Sequence, residues 1–129
     1  MNLFPFKKQE NPPYLERMDE FDNVRIARLK GNIDQSVIPL IEARIQHNRK
    51  REGVVIDKHI IVDYKNVKHV DTAAVAFHVV RMKEAQAHGK CIGFINVPDE
   101  LKTMLDMFKQ SDAFKIYASE EEALRKLNC

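Results

Sequence analysis

Short apolar runs recur along the chain, separated by longer stretches in which apolar residues follow a helical period. The runs have the length of β-strands and are rich in β-branched and aromatic residues. They lie at Val24–Leu29, His59–Asp63, Cys91–Val97 and Phe114–Tyr117, with a weaker one near Tyr14–Met18. The runs at 59–63 and 91–97 are almost continuously apolar, which is typical of strands covered on both faces.

The first helical stretch follows a tight connection at Gly31–Asp34. Ser36 is predicted to be its N-cap, because a hydroxyl can accept a hydrogen bond from the free N–H groups of the first turn. Pro39 then falls in that turn, where its missing N–H is not needed. Basic residues at 49–51 suit the end of the helix. We interpret them as a solvated end, with a partner-binding patch as the alternative. Residues 54–56 are compatible with helix, loop or strand.

Three further helices are predicted from the positions of their start and stop signals. One covers residues 71–88 and is followed by Gly89, which suits the C′ position. Another begins at Pro98. The last has a capping box, in which Ser119 is the N-cap and Glu122 stands three residues later.

The resulting order of elements is β-β-α-β-α-β-α-β-α. Strands that alternate with helices predict an α/β fold with a mainly parallel or mixed sheet of about four to five strands, packed with about four helices. Prolines at 5, 12 and 13 interrupt any regular element. We therefore expect an N-terminal extension at 1–13 and one domain at 14–129.

Composition narrows the class of protein. The chain has 129 residues, of which 44% are apolar and 31% charged, as in a globular domain. A net charge of +2 is too small to indicate a nucleic-acid surface. No apolar run has the length of a membrane span, and the N-terminus is not typical of a signal peptide. Cys91 is expected to be a buried apolar residue, unpaired with Cys129. We therefore expect a cytoplasmic protein.

The sequence contains no residues at the spacings typical of catalytic or metal-binding motifs. The five histidines stand nine to twelve residues apart and form no metal-ligand pair. No glycine-rich phosphate loop and no nucleophile elbow are present. The sequence thus predicts no cofactor and no metal, and it favours a binding protein. An enzyme or a small-ligand binder remains the alternative class.

Two turns carry a family resemblance: Leu29-Lys-Gly-Asn-Ile-Asp34 and Val70-Asp-Thr-Ala-Ala-Val75. They resemble the paired signatures of the STAS domain, the fold of bacterial anti-sigma factor antagonists. That family has Gly-x-hydrophobic-Asp after one strand and Asp-Ser-Ser-Gly-Leu after the next. The tail at Ser119–Leu124 is similar to the family's closing helix. The resemblance covers about residues 20–127 and implies a STAS-like single domain.

The resemblance also implies a partner-switching mechanism. In such antagonists the residue after the second aspartate is phosphorylated by a switch kinase that is itself the anti-sigma factor, and a phosphatase is a further expected partner. That residue is Thr72 here, preceded by Asp71. Asp34 matches a family aspartate near the partner-binding surface. A homodimer is left open.

The chain departs from the family pattern in places. Thr72 replaces serine, Ala73 replaces the second serine, and Ala74 replaces the glycine. The linker at 49–58 is longer than usual. In having threonine at this position, the chain resembles stressosome-type STAS proteins and the STAS subunit of ABC-type phospholipid transporters. The resemblance therefore leaves a second hypothesis, a scaffold in such an assembly with Thr72 unphosphorylated.

Helix chemistry supports a phosphate at Thr72 independently of the resemblance. A hydroxyl at a helix start lies beside free N–H groups and the positive end of the dipole. Ala73, Ala74 and Val75 are expected to form an apolar contact face, where a phosphate of about −1.5 to −2 charges would oppose docking. Alternatively, Thr72 or Asp71 is the helix N-cap, a role that is compatible with regulation.

Overall fold

The computed structural model describes residues 11–127, which contain one five-stranded sheet. Its strands follow one another across the sheet in chain order: β1 (Leu15–Glu20), β2 (Val24–Ile33), β3 (His59–Val70), β4 (Ile92–Ile95) and β5 (Lys115–Tyr117). β1 is antiparallel to β2, and the other neighbouring strands are parallel. The predicted mixed, mainly parallel sheet is therefore confirmed.

Helices cover both faces of this sheet. They are α1 (Ile38–Glu52), α2 (Thr72–Ala87), α3 (Asp99–Met107) and α4 (Glu120–Lys126). Neighbouring residues in a strand point to opposite faces, and Ile61 and Val62 of β3 accordingly belong to two separate cores. The larger core takes side chains from α1, α2 and α3, and the smaller core takes Ala123 from α4. The central strand is thus covered on both faces, as its apolar run predicts.

β2 and β3 are longer than the sequence predicts. β3 continues past Asp63, where the predicted strand ends, and the prediction of a tight connection at Gly31–Asp34 is wrong, because the two strands stay paired as far as Ile33 and Val70. β4 pairs with β3 only as far as Asp63. Beyond that point the side chains at 65, 66, 68 and 69 are polar and exposed, which gives the segment the composition of a loop. β2 and β3 therefore extend beyond β4 as a two-stranded ribbon.

The start of α1 differs from its prediction as well. The N-cap is Val37, which offers no side-chain hydrogen bond, so the prediction for Ser36 is wrong. Ser36 instead donates its hydroxyl and its backbone N–H to Oδ1 of Asp34, at 2.6 and 3.0 Å. Because the Ser36 hydroxyl bonds to Asp34, two residues earlier, it does not cap the helix. Pro39 does lie in the first turn.

A buried ion cluster holds α4 near the sheet. Nη1 of Arg28 donates to Oδ2 of Asp63 at 3.0 Å and to Oε1 of Glu120 at 2.8 Å, and its Nε donates to Asp19 at 2.6 Å. Burial alone would raise the pKa of Asp63. Hydrogen bonds from Asn96, from a backbone N–H and from Arg28 outweigh it and hold that pKa below its usual value. Asp63 is therefore a structural anion that needs its cation.

The linker after α1 is shorter than the sequence suggests. α1 continues through Glu52, so the basic residues at 49–51 are helical, and only 53–58 lack regular structure. Gly53 has a φ of +79° and donates its N–H to the carbonyl of Arg49 at 2.8 Å. Val54 and Val55, of ambiguous structure in the sequence, lie in this segment and are exposed.

Other predictions concern single residues and the ends of the chain. Cys91 is buried, as expected, while Cys129 and most of the expected N-terminal extension lie outside the described residues. Ser119 and Glu122 form the predicted cap of α4. The Ser119 hydroxyl accepts from the N–H of Glu122, whose carboxylate accepts from the N–H of Ala118. Within 11–127, no helix combines the length and apolar character needed to span a membrane.

Candidate functional site

Two turns lie side by side at the carboxyl end of the ribbon formed by β2 and β3. Ile33 and Val70 are paired across the two parallel strands, so Asp34 and Asp71 follow at the same edge. This edge of an open α/β sheet is where ligands and partners commonly bind. The two turns therefore share one surface.

The carboxylate of Asp71 joins the two turns. Its Oδ1 accepts the backbone N–H of Ala73 at 2.9 Å, which makes Asp71 the N-cap of α2. Its Oδ2 accepts the backbone N–H of Gln35 from the other turn at 3.0 Å. Of the two caps that the sequence allows, the structure selects Asp71. Thr72 is therefore free of the capping role.

Thr72 is exposed and is the first residue of α2. Within residues 11–127 its hydroxyl makes no hydrogen bond. The positive end of the α2 dipole lies at this position and favours an anion. The hydroxyl is accessible to another molecule and has no structural task that modification would disturb.

The other titratable side chains near Thr72 are mostly acidic. Asp34 is half-buried, and hydrogen bonds from Ser36, its hydroxyl first, lower the pKa of this carboxyl, with a smaller contribution from nearby His69. Oε1 of Glu100 in α3 accepts the N–H of Val70 at 3.1 Å and lies 3.3 Å from Nδ1 of His69. A phosphate on Thr72 would add its charge to this acidic group.

The three apolar residues after Thr72 do not form the expected contact face. Ala74 is fully buried and Val75 is 5% exposed, both within the larger core, and only Ala73 is partly accessible. The expectation that Ala74 and Val75 meet a partner is thus corrected. A helix turns by about 100° per residue, which carries these two side chains towards the sheet.

The accessible apolar side chains lie elsewhere on the same edge. Ala76 and Val80 are exposed, and they stand one and two turns after Thr72 on the same face of α2. The sequence analysis does not assign Ala76 or Val80 to the binding surface, so this surface was missed. The i, i+4, i+8 spacing from Thr72 is the signal that could have found Val80.

In the described part of the chain, no three His, Cys, Asp or Glu side chains come together as a metal-binding group. His78 is the most buried histidine, and its Nε2 lies 2.5 Å from the Tyr64 hydroxyl inside the core. Burial lowers the pKa of His78 to about 3, so this histidine is neutral. Its position is structural and lies away from the exposed face of α2.

Comparisons with known proteins agree with this geometry. A family model of the STAS domain matches residues 17–123. The fold is similar to the anti-sigma factor antagonist SpoIIAA in its unphosphorylated form, with a TM-score of 0.66 and 20% identity, covering 85% of this chain and 93% of that one. It is also similar to the phosphorylated form of SpoIIAA from Bacillus, with a TM-score of 0.59 and 20% identity, covering 85% of this chain and 96% of that one. An anti-sigma factor antagonist from Mycobacterium paratuberculosis is similar with a TM-score of 0.69 and 14% identity, covering 86% of this chain and 91% of that one. No curated protein matches the sequence.

Proposed function

This chain belongs to the STAS domain family, and we propose that it is a signalling protein whose binding to a regulatory protein partner is controlled by phosphorylation at Thr72. The observation that carries the proposal is the position of Thr72. It is exposed, it begins α2, and it adjoins the turn of Asp34 through the bond between Asp71 and Gln35. One similar structure, SpoIIAA, exists in phosphorylated and unphosphorylated forms.

The proposed docking surface combines the two turns with the exposed face of α2. Thr72, Ala76 and Val80 present small and apolar groups on one side of the helix, and Asp34 flanks them on the neighbouring turn. Small side chains allow a partner's backbone to approach closely, and the exposed apolar groups stabilise a dry contact. Asp71 contributes indirectly, because it holds the two turns in register.

Phosphorylation would act through charge. A phosphate adds about −1.5 to −2 charges at neutral pH, beside Asp34, Asp71 and Glu100. In the free protein the N-terminus of α2 and water accommodate that charge. In a dry complex the same charge would be buried without a cation, which costs several kcal/mol. The partner best suited to this surface is therefore a switch kinase or anti-sigma factor that modifies Thr72, and a phosphatase would restore binding.

The same acidic surroundings favour a second candidate function. Three carboxylates near Thr72 oppose the transfer of a phosphate to its hydroxyl. A STAS scaffold in a stressosome-like assembly, or beside a transporter ATPase, would use the same docking surface without any modification. Its binding would depend on the apolar face of α2 and would be constant in the cell.

Affinity capture with matched baits tests the proposal. The parent protein, Thr72→Glu, Thr72→Ala and Thr103→Glu are used to capture partners from the native cell, and the affinity of each captured protein is then measured. Thr103 is the chain's other threonine and is exposed on α3, so it controls for added charge. We expect Thr72→Glu to lose the partner, while Thr72→Ala and Thr103→Glu retain it. Equal binding by Thr72→Glu and the parent would leave the scaffold as the function.

A further inference from the structure

An apolar cavity of about 340 Å³ lies between α1 and the β1–β2 half of the sheet. Ala27 and Leu29 of β2 form its floor, and Ile41 and Ile45 of α1 line it from above. This volume is at the lower end of the range typical of small-molecule sites. The cavity is partly open to solvent, so a molecule from solution can reach it.

The packing of α1 shows that this part of the core is incomplete. α1 has fifteen residues, and Ile38 is its only fully buried side chain. Ile41 and Ile45 are only half-buried although they point to the sheet side. Val55 lines the cavity from the linker and is 63% exposed. Apolar surface on three sides of the cavity would gain free energy if an apolar chain filled the space.

A buried polar atom marks one side of the cavity. Nε of Arg81, in α2, is buried and has no hydrogen-bond partner within residues 11–127. The guanidinium lies over the ring of Phe77, and its Nη1 is 3.6 Å from Glu84. Glu84 is already held by two hydrogen bonds from Arg49, at 2.5 and 2.7 Å. A buried N–H without an acceptor is unfavourable, so Arg81 is suited to an acceptor from outside the chain.

The charged side chains around the cavity indicate that this acceptor is an anion. Arg25, Arg44, Lys58 and Arg81 line it together with two acidic residues, Asp57 and Glu84. Arg44 makes no hydrogen bond or ion pair with any described residue. Arg25 and Lys58 are already paired with Glu20, so the guanidinium groups of Arg44 and Arg81 are the ones with capacity for an anion.

We propose that this cavity binds an amphiphile with one unbranched acyl chain and a carboxylate head, with the chain against Ala27, Ile41 and Ile45 and the carboxylate on Arg81. The proposal is independent of phosphorylation at Thr72, which does not line the cavity. Binding of this ligand would fill the core under α1 and would act as a second regulatory signal beside phosphorylation.

Dodecanoate is a suitable probe, and binding to the full-length chain is measured by isothermal titration calorimetry. Dodecyltrimethylammonium has the same chain length and the opposite head charge, so it controls for apolar binding alone. We expect saturable binding of dodecanoate at one site and binding of the cation at least about tenfold weaker. Arg81→Met keeps an apolar stem over Phe77 and should weaken dodecanoate about tenfold or more. Arg125→Met, on the opposite face of the sheet, should not change it.

Amide shifts in ¹⁵N NMR spectra of the parent protein locate the site without any variant. Dodecanoate should shift the signals of Ile45, Val55 and Arg81 and leave those of α4 unchanged. Shifts confined to other surfaces would overturn the proposal, and so would equal binding of the cationic amphiphile. Absence of binding, as would follow if residues 1–10 of the chain filled the cavity, would overturn it as well.

Discussion

The backbone N–H of Gln35 donates to Oδ2 of Asp71 at 3.0 Å, and this bond joins two turns that are 36 residues apart in the chain. The other carboxylate oxygen of Asp71 caps α2 through Ala73. One side chain thus fixes both the start of the helix that carries Thr72 and the position of the turn that carries Asp34. The candidate site depends on a carboxylate, because two acceptor oxygens are needed.

Substitutions at Asp71 should separate its two tasks. Asparagine retains one acceptor oxygen and is as good an N-cap as aspartate, but its amide nitrogen, which replaces the second oxygen, cannot accept the N–H of Gln35. We expect Asp71→Asn to lower the free energy of unfolding by about 1 kcal/mol and Asp71→Ala by about 2 kcal/mol. Urea unfolding measures both, and Ser119→Ala, which removes a single cap bond in α4, is the control. No loss for Asp71→Asn would show that the link to Gln35 contributes nothing, and equal losses for the two variants would show that the cap contributes nothing.

Substitution of Thr72 should leave stability almost unchanged. Asp71 is the cap and the Thr72 hydroxyl has no hydrogen bond in the described chain, so Thr72→Ala removes no structural contact. For Thr72→Glu, the favourable helix dipole opposes repulsion from the nearby carboxylates. We expect both variants to unfold within about 0.5 kcal/mol of the parent. Thermal melts test this expectation, and a loss above about 1 kcal/mol would mean that binding defects reflect misfolding.

The exposed face of α2 should contribute to partner binding without contributing to the core. Val80 is 50% exposed, so Val80→Ser should change the free energy of unfolding by less than about 0.5 kcal/mol. Partner affinity should fall several-fold, because apolar contact area is lost. Val54→Ser is a matched control, since Val54 is 54% exposed and lies in the linker after α1. Similar affinities for both variants would place the interface elsewhere.

The apolar runs were sufficient to predict the sheet and its helices. His59–Asp63 and Cys91–Val97 are covered on both faces, so their composition alone indicates central strands. The second half of β3 was missed because it pairs only with β2, and its exposed residues are polar. A strand that lies beyond the covered part of a sheet has no continuous apolar signal.

The candidate site was only partly predictable, for a different physical reason. Asp34, Asp71 and Thr72 were identified from their turns, and the structure brings them to one edge. The orientation of Ala74 and Val75 depends on where α2 begins, and two adjacent residues were both acceptable caps. If α2 began one residue earlier or later, each of its side chains would point in a direction about 100° away. The bond from Gln35 to Asp71 is a tertiary contact that no local pattern contains.

Removal of Arg28 should be much more harmful than removal of an exposed arginine. Arg28 neutralises Asp63, whose side chain is 5% exposed. Without the guanidinium, a buried carboxylate would lack its cation, and such losses amount to about 3–5 kcal/mol. We expect Arg28→Met to lower the free energy of unfolding by about that amount. Arg17→Met, which removes an exposed pair with Asp19, should cost less than about 1 kcal/mol. Comparable effects of the two variants would contradict the role of Asp63 as a structural anion.

His78 should make the protein sensitive to acid. Burial lowers its pKa to about 3 in the folded state, whereas an unfolded chain has a histidine pKa near 6.5. Between these two values the unfolded state binds the proton and the folded state does not, so stability falls as the pH falls from about 6.5 towards 3. The full effect of this one group is on the order of 3–5 kcal/mol. His78→Gln keeps an acceptor for Tyr64 and cannot be protonated in this range. Urea unfolding from pH 7 to 4 should show a flatter decline for His78→Gln than for the parent, although the carboxylates contribute equally to both. Parallel declines would mean that His78 takes up its proton without leaving the core.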